Sequence, residues 1–326
     1  MRKGRIMSVS GTAVVFGGGG FVGQYVVQFL AQAGYMVRVA SRRPDRGALL
    51  RPLGRVGQVA PFYASVRDEQ SVACVVRGAD VVVNLAAVLG SSGGQTMQAV
   101  NVEGAGRVAR LAAQAGVARF VHMSALGCGP EDNPLSAYGR SRAEAENAVK
   151  QYRPDAAIVR PSVIFGPEDH FFNLFATLAR YLPVLPVYEP DTRVQPVYVG
   201  DVAEVVGRLA TQDGYVARSW LLGGPQVMSM RDIARLVLKE TGRDKPLLHV
   251  PMSLARMQAW FLEKLPIKLL TRDQLLMLSR DTVMPGNESG FEPFGLVPRS
   301  VESCVPFYLE RYRAGGGRAG IFVPER

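Results

Sequence analysis

Seven residues constrain this chain more than any others: Gly17-Gly18-Gly19-Gly20-Phe21-Val22-Gly23. They follow Thr12–Phe16, a short apolar, β-branched run that reads as a buried strand. They open a stretch from about Phe21 to Ala33 that reads as a helix closed by Gly34. A chain turning so tightly needs glycines, which let backbone N–H groups approach a pyrophosphate and let the helix pack close to the strand. The helix N-terminus then turns unpaired donors and its positive dipole end toward the phosphates. The expected dinucleotide contacts here are Gly17, Gly20, Phe21, Val22 and Gly23. The run fits G-x-G-x-x-G from Gly18 and G-x-x-G-x-x-G from Gly17, so spacing leaves the subfamily open.

The first half keeps the same rhythm. Strands are expected at Tyr35–Ala40, around Phe62–Tyr63, and at Ala79–Leu85, Arg119–Ser124 and Ala156–Arg160. Helices are expected at Asp68–Val76, Met97–Ala115 and Leu135–Tyr152. Strands alternating with helices of this length give right-handed βαβ units. The fold class is α/β: a Rossmann-type doubly wound parallel sheet with a smaller, mostly helical C-terminal lobe.

After Gly166 the rhythm breaks. A helix at His170–Arg180 precedes a proline-rich stretch, Leu182–Pro196; a strand at Gln195–Val199, a helix at Asp201–Thr211 and a strand at Ser219–Leu222 follow. Ser229-x-x-Asp232 and Thr271-x-x-Gln274 have the form of helix-starting capping boxes. Residues 11–165 and 194–223 are assigned to the nucleotide-binding domain, and 166–193 and 224–313 to the second lobe. Residues 314–326 are assigned to a glycine-rich flexible tail.

With 326 residues the chain can bury a full core, and 48% hydrophobic against 20% charged residues describes an ordinary globular protein. No stretch reaches the roughly 20 apolar residues of a spanning helix. Met1–Ser10 is basic without the apolar core of a signal peptide, so a bacterial cytoplasmic protein is expected rather than one that has lost a presequence. Three scattered cysteines (Cys74, Cys128, Cys304) and three histidines (His122, His170, His249) indicate neither a disulfide framework nor a metal site. The formal charge of +10 favours an acidic partner: anionic lipid headgroups, an acidic protein surface or nucleic acid. Nucleic acid is the weakest of these, because the arginines form no block and no nucleic-acid-binding motif accompanies them.

At the end of the second strand, where an acidic residue would bind the adenosine ribose of NAD, stand Ser41, Arg42 and Arg43. A carboxylate would repel a 2′-phosphate; an arginine can hold one with two charge-assisted hydrogen bonds. The cofactor expected is NADPH. The alternative is that these arginines only decorate a solvated loop.

Further along stand Asn84-Leu85-Ala86-Ala87, Asn101-Val102-x-Gly104, Phe120-Val121-His122-Met123-Ser124, Tyr138 and Arg160-Pro161-Ser162-Val163-Ile164-Phe165-Gly166-Pro167. With the glycine turn, they make the chain resemble the extended and atypical short-chain dehydrogenase/reductases. Three segments sharpen that into similarity to the nucleotide-binding accessory subunit of respiratory complex I: Pro161–Phe172, Gln195–Ala203 and Leu270-Thr271-Arg272-Asp273-Gln274. The resemblance spans about Gly11 to Arg313. It implies cofactor contacts at Ser65, Leu85, Ala86, Ala87, Tyr138, Pro161 and Val163. It also implies a tightly held NADPH, a place beside the membrane among other complex I subunits, and no established turnover.

The same resemblance marks where the chain departs from active relatives. There a tyrosine carries the proton as hydride moves, a lysine four residues later lowers its pKa, and a serine orients the substrate oxygen. Here the tyrosine is Tyr138, but the lysine place holds Arg142. The serine is Ser124, or that place falls one residue later on Ala125. Ser65 stands where many relatives carry an aspartate. Arginine keeps the charge but cannot place it as an ammonium does.

In the second lobe, Leu254, Met257, Phe261 and Leu265 line one face of an expected helix at Met252–Leu265, with Arg256 and Glu263 opposite. Such a helix covers a core or, with Trp260, Lys264 and Lys268, meets an interface. The function expected is an NADPH-binding accessory subunit of complex I on the cytoplasmic face of the bacterial inner membrane, without its own turnover. The alternatives are a free NADPH-dependent short-chain reductase acting on a carbonyl substrate and a redox-sensing regulator.

Overall fold

Valine-rich runs covered on both faces form the centre of a parallel sheet, because only there do successive side chains of one strand all avoid water. In the computed structural model, which describes residues 11–91, 93–214, 217–263, 270–286 and 290–316, six parallel strands occur in the first half, the most buried of them at the centre. They are β1 (Gly11–Phe16), β2 (Tyr35–Ser41), β3 (Val59–Tyr63), β4 (Val81–Asn84), β5 (Arg119–Met123) and β6 (Ala157–Pro161). With the edge strand Ser219–Leu222 they make a seven-stranded sheet in the order Ser219–Leu222, β6, β5, β4, β1, β2, β3. Val81, Val82 and Val83 are wholly buried. The parallel doubly wound architecture read from the sequence is the observed one.

The strand order reverses between β1 and β4, and in such sheets the crevice at the carboxyl ends of those two strands is where ligands bind. Phe16 ends β1 beside Asn84, which ends β4. Both following turns therefore leave the sheet side by side.

The chain divides into two compact units, Met1–Arg160 with Gly200–Leu221, and Pro161–Val199 with Leu222–Arg326. The division falls after Arg160, Val199 and Leu221, whereas sequence reading places it after 165, 193 and 223. In the first unit, Val14, Phe16, Val82, Phe120 and Ile158 pack with Val108, Ala109, Ala145 and Val149 of the covering helices. A buried Arg160 is held there by Glu146, which is fully buried, at 2.8 and 2.6 Å, and by Glu131.

The second unit has its own core, built on Phe165, Phe172, Ala176, Leu185, Ile233, Val237, Val301 and Leu309. It carries more strand than expected. Ile164–Phe165 pairs with Val197–Tyr198, Arg193–Val194 with Met228–Ser229, and Leu185–Tyr188 with Leu247–Val250. The prolines of 182–196 conceal the last pair from sequence reading; a two-stranded ribbon tolerates Pro186 because each of its strands is an edge. The expected strand Gln195–Val199 is limited to Val197–Tyr198, since Val199 already begins the helix Val199–Thr211.

The family-like segments turn out to be local clamps. Asp169 accepts the Gly166 and Asn173 amides (3.0 and 3.1 Å) and the Tyr308 hydroxyl (2.8 Å), and burial beside that carboxylate drives the Tyr308 pKa up. Gln195 donates to Gly224 O (2.7 Å) and accepts the Met284 amide (2.9 Å). Both capping boxes form as read: Ser229 accepts the Asp232 amide, and Thr271 accepts that of Gln274.

The helix Met252–Leu262 buries only Ala255 and Ala259. Leu254, Met257, Trp260 and Phe261 are 41, 53, 43 and 59% exposed, so these four side chains do not cover a core among the described residues, while Met252 packs on the small cluster of Val250, Ala255, Ala259 and Leu275. Lys264, Leu265 and Lys268 lie outside the described residues, as does the tail beyond Gly316. No helix among the described residues is long and apolar enough to cross a membrane.

Candidate functional site

The turn after β1 is tight enough to demand its glycines. Gly17 has φ +76°, and a Cβ on it would lie 3.2 Å from the Ala86 amide nitrogen. On Gly18 a Cβ would meet Val39 at 3.0 Å and Val15 O at 3.1 Å; on Gly23 it would come within 2.6 Å of Gly18 Cα. The turn is tied down by Gly17 N–H to Ala40 O (3.0 Å), Gly18 N–H to Val15 O (3.2 Å) and Gly20 N–H to Gly17 O (2.9 Å). Gly20 caps the helix Phe21–Gln32 without a side-chain hydrogen bond, so the first-turn donors around Phe21, Val22 and Gly23 have no cap of their own. The result is a cradle closed to side chains and lined with backbone donors. The residues present fit a bound pyrophosphate.

Beside it, β2 ends in Ser41, whose hydroxyl accepts the Arg43 amide at 3.1 Å. Arg42 and Arg43 are exposed, and among the described residues neither side chain has a hydrogen-bond or ion-pair partner. Arg43 also precedes a helix, Pro44–Ala48, that sequence reading does not foresee. That helix brings a third exposed cation, Arg46, to the turn: its Cβ would lie 3.5 Å from a Cβ on Gly19. Pro44 at the first helical position and Asp45 after it are the signals that could have found it.

Ser65 lies in the loop after β3. Its backbone exchanges hydrogen bonds with Ser71 (3.1 and 3.3 Å), and its hydroxyl faces the Arg67 amide at 3.4 Å. Leu85, Ala86 and Ala87 form the turn after β4, fixed by Leu85 N–H to Phe16 O (3.0 Å) and Ala86 N–H to Asn84 Oδ1 (3.2 Å). Val88 is held from both sides by Asn101, which also donates to Ser141 (2.9 Å), and Ser141 donates to Tyr138 O (2.7 Å). Asn101 lies in a π-helical turn, Gln98–Val102, ahead of the α-helix Glu103–Gln114. The single helix expected over Met97–Ala115 is therefore widened where a wholly buried polar side chain must leave it.

Tyr138 and Arg142 stand one turn apart on the helix Ala137–Tyr152, capped by Ser136. Arg142 is buried; its guanidinium donates to Met123 O at the end of β5 and lies 5.9 Å from the centre of the Tyr138 ring. Burial raises the Tyr138 pKa above its ordinary value, with Arg142 opposing in part. A tyrosine that must release a proton needs the opposite shift. Ser124 is buried with its amide on Val159 O (2.6 Å), and among the described residues its Oγ has no partner. Burial also pushes the Cys128 thiol up to about 11, which keeps it protonated at neutral pH.

Pro161 and Val163 begin the second unit, where Pro161 is buried and Val163 packs on the Phe165 core. The structure thus gathers the glycine turn, Ser41–Arg43 and Leu85–Ala87 at the ends of β1, β2 and β4. Tyr138, Arg142 and Ser124 gather at the end of β5.

Three comparisons fit this geometry. The sequence profile of the NAD dependent epimerase/dehydratase family matches residues 13–223. A relative from Arabidopsis thaliana, NADH dehydrogenase [ubiquinone] 1 alpha subcomplex subunit 9, mitochondrial, is 32% identical over 98% of this chain and 82% of its own. A ceramide reductase from Caulobacter vibrioides is 32% identical over 68% of this chain and 72% of its own. Among solved structures, an NADPH-dependent quinone oxidoreductase from Escherichia coli superposes with TM-score 0.74, covering 91% of this chain and 99% of its own at 16% identity, a likeness of fold. Members of the matched family bind a nicotinamide dinucleotide. The chain belongs to the NAD dependent epimerase/dehydratase family, as an atypical short-chain dehydrogenase/reductase similar to the complex I accessory subunit.

Proposed function

We propose that this protein is an NADPH-binding accessory subunit of respiratory complex I, structural or regulatory in role and without turnover of its own. The observation that carries it is the similarity to a mitochondrial NADH dehydrogenase subunit along almost the whole chain. NADPH would rest its pyrophosphate on Gly17–Gly23 and its 2′-phosphate on Arg42 or Arg43, with Leu85–Ala87 beside it. When bound, NADPH can supply a hydride; the residues that would manage the accompanying proton are poorly disposed for it. Arg142 turns one guanidinium nitrogen to Met123 O, and burial raises the Tyr138 pKa.

Its place in the cell is read as peripheral, on the cytoplasmic face of a bacterial inner membrane, among other complex I subunits. The exposed Leu254, Met257, Trp260 and Phe261 offer a patch of the kind that interfaces cover. Basic residues close to an anionic bilayer add about 1 kcal/mol each, enough to aid docking. Fractionation is the test: the native protein should sediment with membranes and, after mild detergent, migrate with a large NADH-oxidising assembly. A wholly cytosolic monomer or dimer would sink this reading.

The second reading is a free NADPH-dependent reductase, favoured by the ceramide reductase among the relatives. Turnover decides between them. Across a panel of carbonyl substrates the unaltered protein should fall below the usual enzymatic range of roughly 1–10³ s⁻¹. Arg142→Lys should raise what remains, and Tyr138→Phe should remove it. Turnover within that range by the unaltered protein would favour the reductase.

A further inference from the structure

Behind the turn after β4 lies a buried polar pair that the dinucleotide reading leaves unused. Asn84 and His122 sit opposite each other on β4 and β5, each 1% exposed, with Asn84 Nδ2 at 3.3 Å from His122 Nδ1. The direction of that bond is fixed by the other end of the amide. Asn84 Oδ1 already accepts the Ala86 amide, so Nδ2 must donate and Nδ1 must accept. The imidazole is then neutral with its proton on Nε2, a nitrogen that is buried and has no partner among the described residues. Burial and the neighbouring Arg142 guanidinium both keep the ring from gaining a second proton.

The pair bears on the cofactor cradle through Ala86. Gly17 faces the Ala86 nitrogen so closely that a single Cβ would lie 3.2 Å from it. The two turns are also joined directly, Leu85 N–H bonding Phe16 O at 3.0 Å just ahead of Gly17, so a shift of the Leu85–Ala87 turn would reach the glycine turn. Asn84 is the group that holds the Ala86 amide, and His122 is what orients Asn84: without an acceptor at Nδ1, a buried amide donor is stranded and the side chain gains by rotating. We propose that His122 is a positioning residue of the dinucleotide site, holding the Leu85–Ala87 turn against Gly17 through Asn84. This rests on the reading that the site takes NADPH.

The test pairs two substitutions with a measurement on the unaltered protein. His122→Leu removes the acceptor; His122→Gln keeps one. NADPH dissociation constants by fluorescence titration should weaken about tenfold for His122→Leu, roughly one net hydrogen bond, and stay within about threefold for His122→Gln. Both apoproteins should keep the circular dichroism spectrum of the unaltered protein. His122→Leu binding like the unaltered protein overturns the proposal, as does equal weakening in both variants. Should His122→Leu not fold, ring ¹⁵N shifts of the unaltered protein carry the test: His122 should show the neutral Nε2–H tautomer and move on saturation with NADPH. The Nδ1–H tautomer, or a resonance indifferent to NADPH, overturns it. If the unaltered protein binds no NADPH, the cofactor reading falls and this inference with it. Normal binding alongside an unaffected His122→Leu variant removes this inference alone.

Discussion

Gly23→Ala should weaken dinucleotide binding at least about 100-fold while Gly19→Ala changes it by no more than about threefold. Both substitutions add one methyl to the same glycine run, so composition cannot separate them; position does. A Cβ on Gly23 would lie 2.6 Å from Gly18 Cα and 2.7 Å from Gly18 C, so the helix must move off the turn. A Cβ on Gly19 meets nothing nearer than Arg46 Cβ at 3.5 Å, an ordinary contact. Overpacking of this kind costs about 1–3 kcal/mol by itself. Misplacing two amide donors that should meet a charged phosphate forfeits roughly 1.5–3 kcal/mol apiece. That strain is borne by free and bound protein alike, and the two lost donors alone, at about 3 kcal/mol or more, exceed the 2.8 kcal/mol or so that 100-fold requires. Titration of each variant with NADPH, read by nicotinamide fluorescence, measures the effect. Circular dichroism spectra matching the unaltered protein would show that the fold survived. Gly23→Ala binding as tightly as Gly19→Ala would mean that the phosphates are held elsewhere.

The parts of this protein legible in its sequence are those where local pattern and tertiary role coincide. The valine run of β4 could only be a central strand, and the Ser229 and Thr271 capping boxes formed because each satisfies its own helix end. The glycine turn was legible for the same reason: strand, turn and helix are contiguous. What escaped depends on residues distant in sequence. Asn101 reaches Val88 and Ser141 from a widened helical turn, which helical periodicity cannot reveal. Arg142 was visible as a departure from lysine, but its donation to Met123 O needed the fold. The helix at Met252–Leu262 shows the limit most clearly. An apolar stripe reads as a buried face, yet the residues buried are Ala255 and Ala259, which an amphipathic count passes over.

Replacing Arg42 and Arg43 together with alanine should weaken NADPH binding about 100-fold and leave NADH within about threefold. The two cofactors differ only in the 2′-phosphate, so contacts to everything else cancel in the ratio. Both guanidinium groups are exposed and unpartnered among the described residues, so no existing ion pair has to be broken when a phosphate arrives. Charge-assisted bonds to a phosphate contribute about 1.5–3 kcal/mol each, and exposure to solvent places these at the low end. Two such bonds give roughly 3 kcal/mol, or slightly more than 100-fold. Arg46 separates charge from contact. If the arginines act only through the local field, Arg46→Ala should cost NADPH as much as either single substitution; if they grip the phosphate, it should cost clearly less. Salt sharpens the distinction, since exposed charges lose most of their long-range attraction once the screening length falls from about 10 Å at 0.1 M to about 3 Å at 1 M. A gripped phosphate keeps part of its preference for NADPH at high salt, whereas a diffuse attraction loses it. Equal losses for NADPH and NADH in the double variant, or a preference of the unaltered protein for NADH, would overturn the assignment of the 2′-phosphate to these arginines.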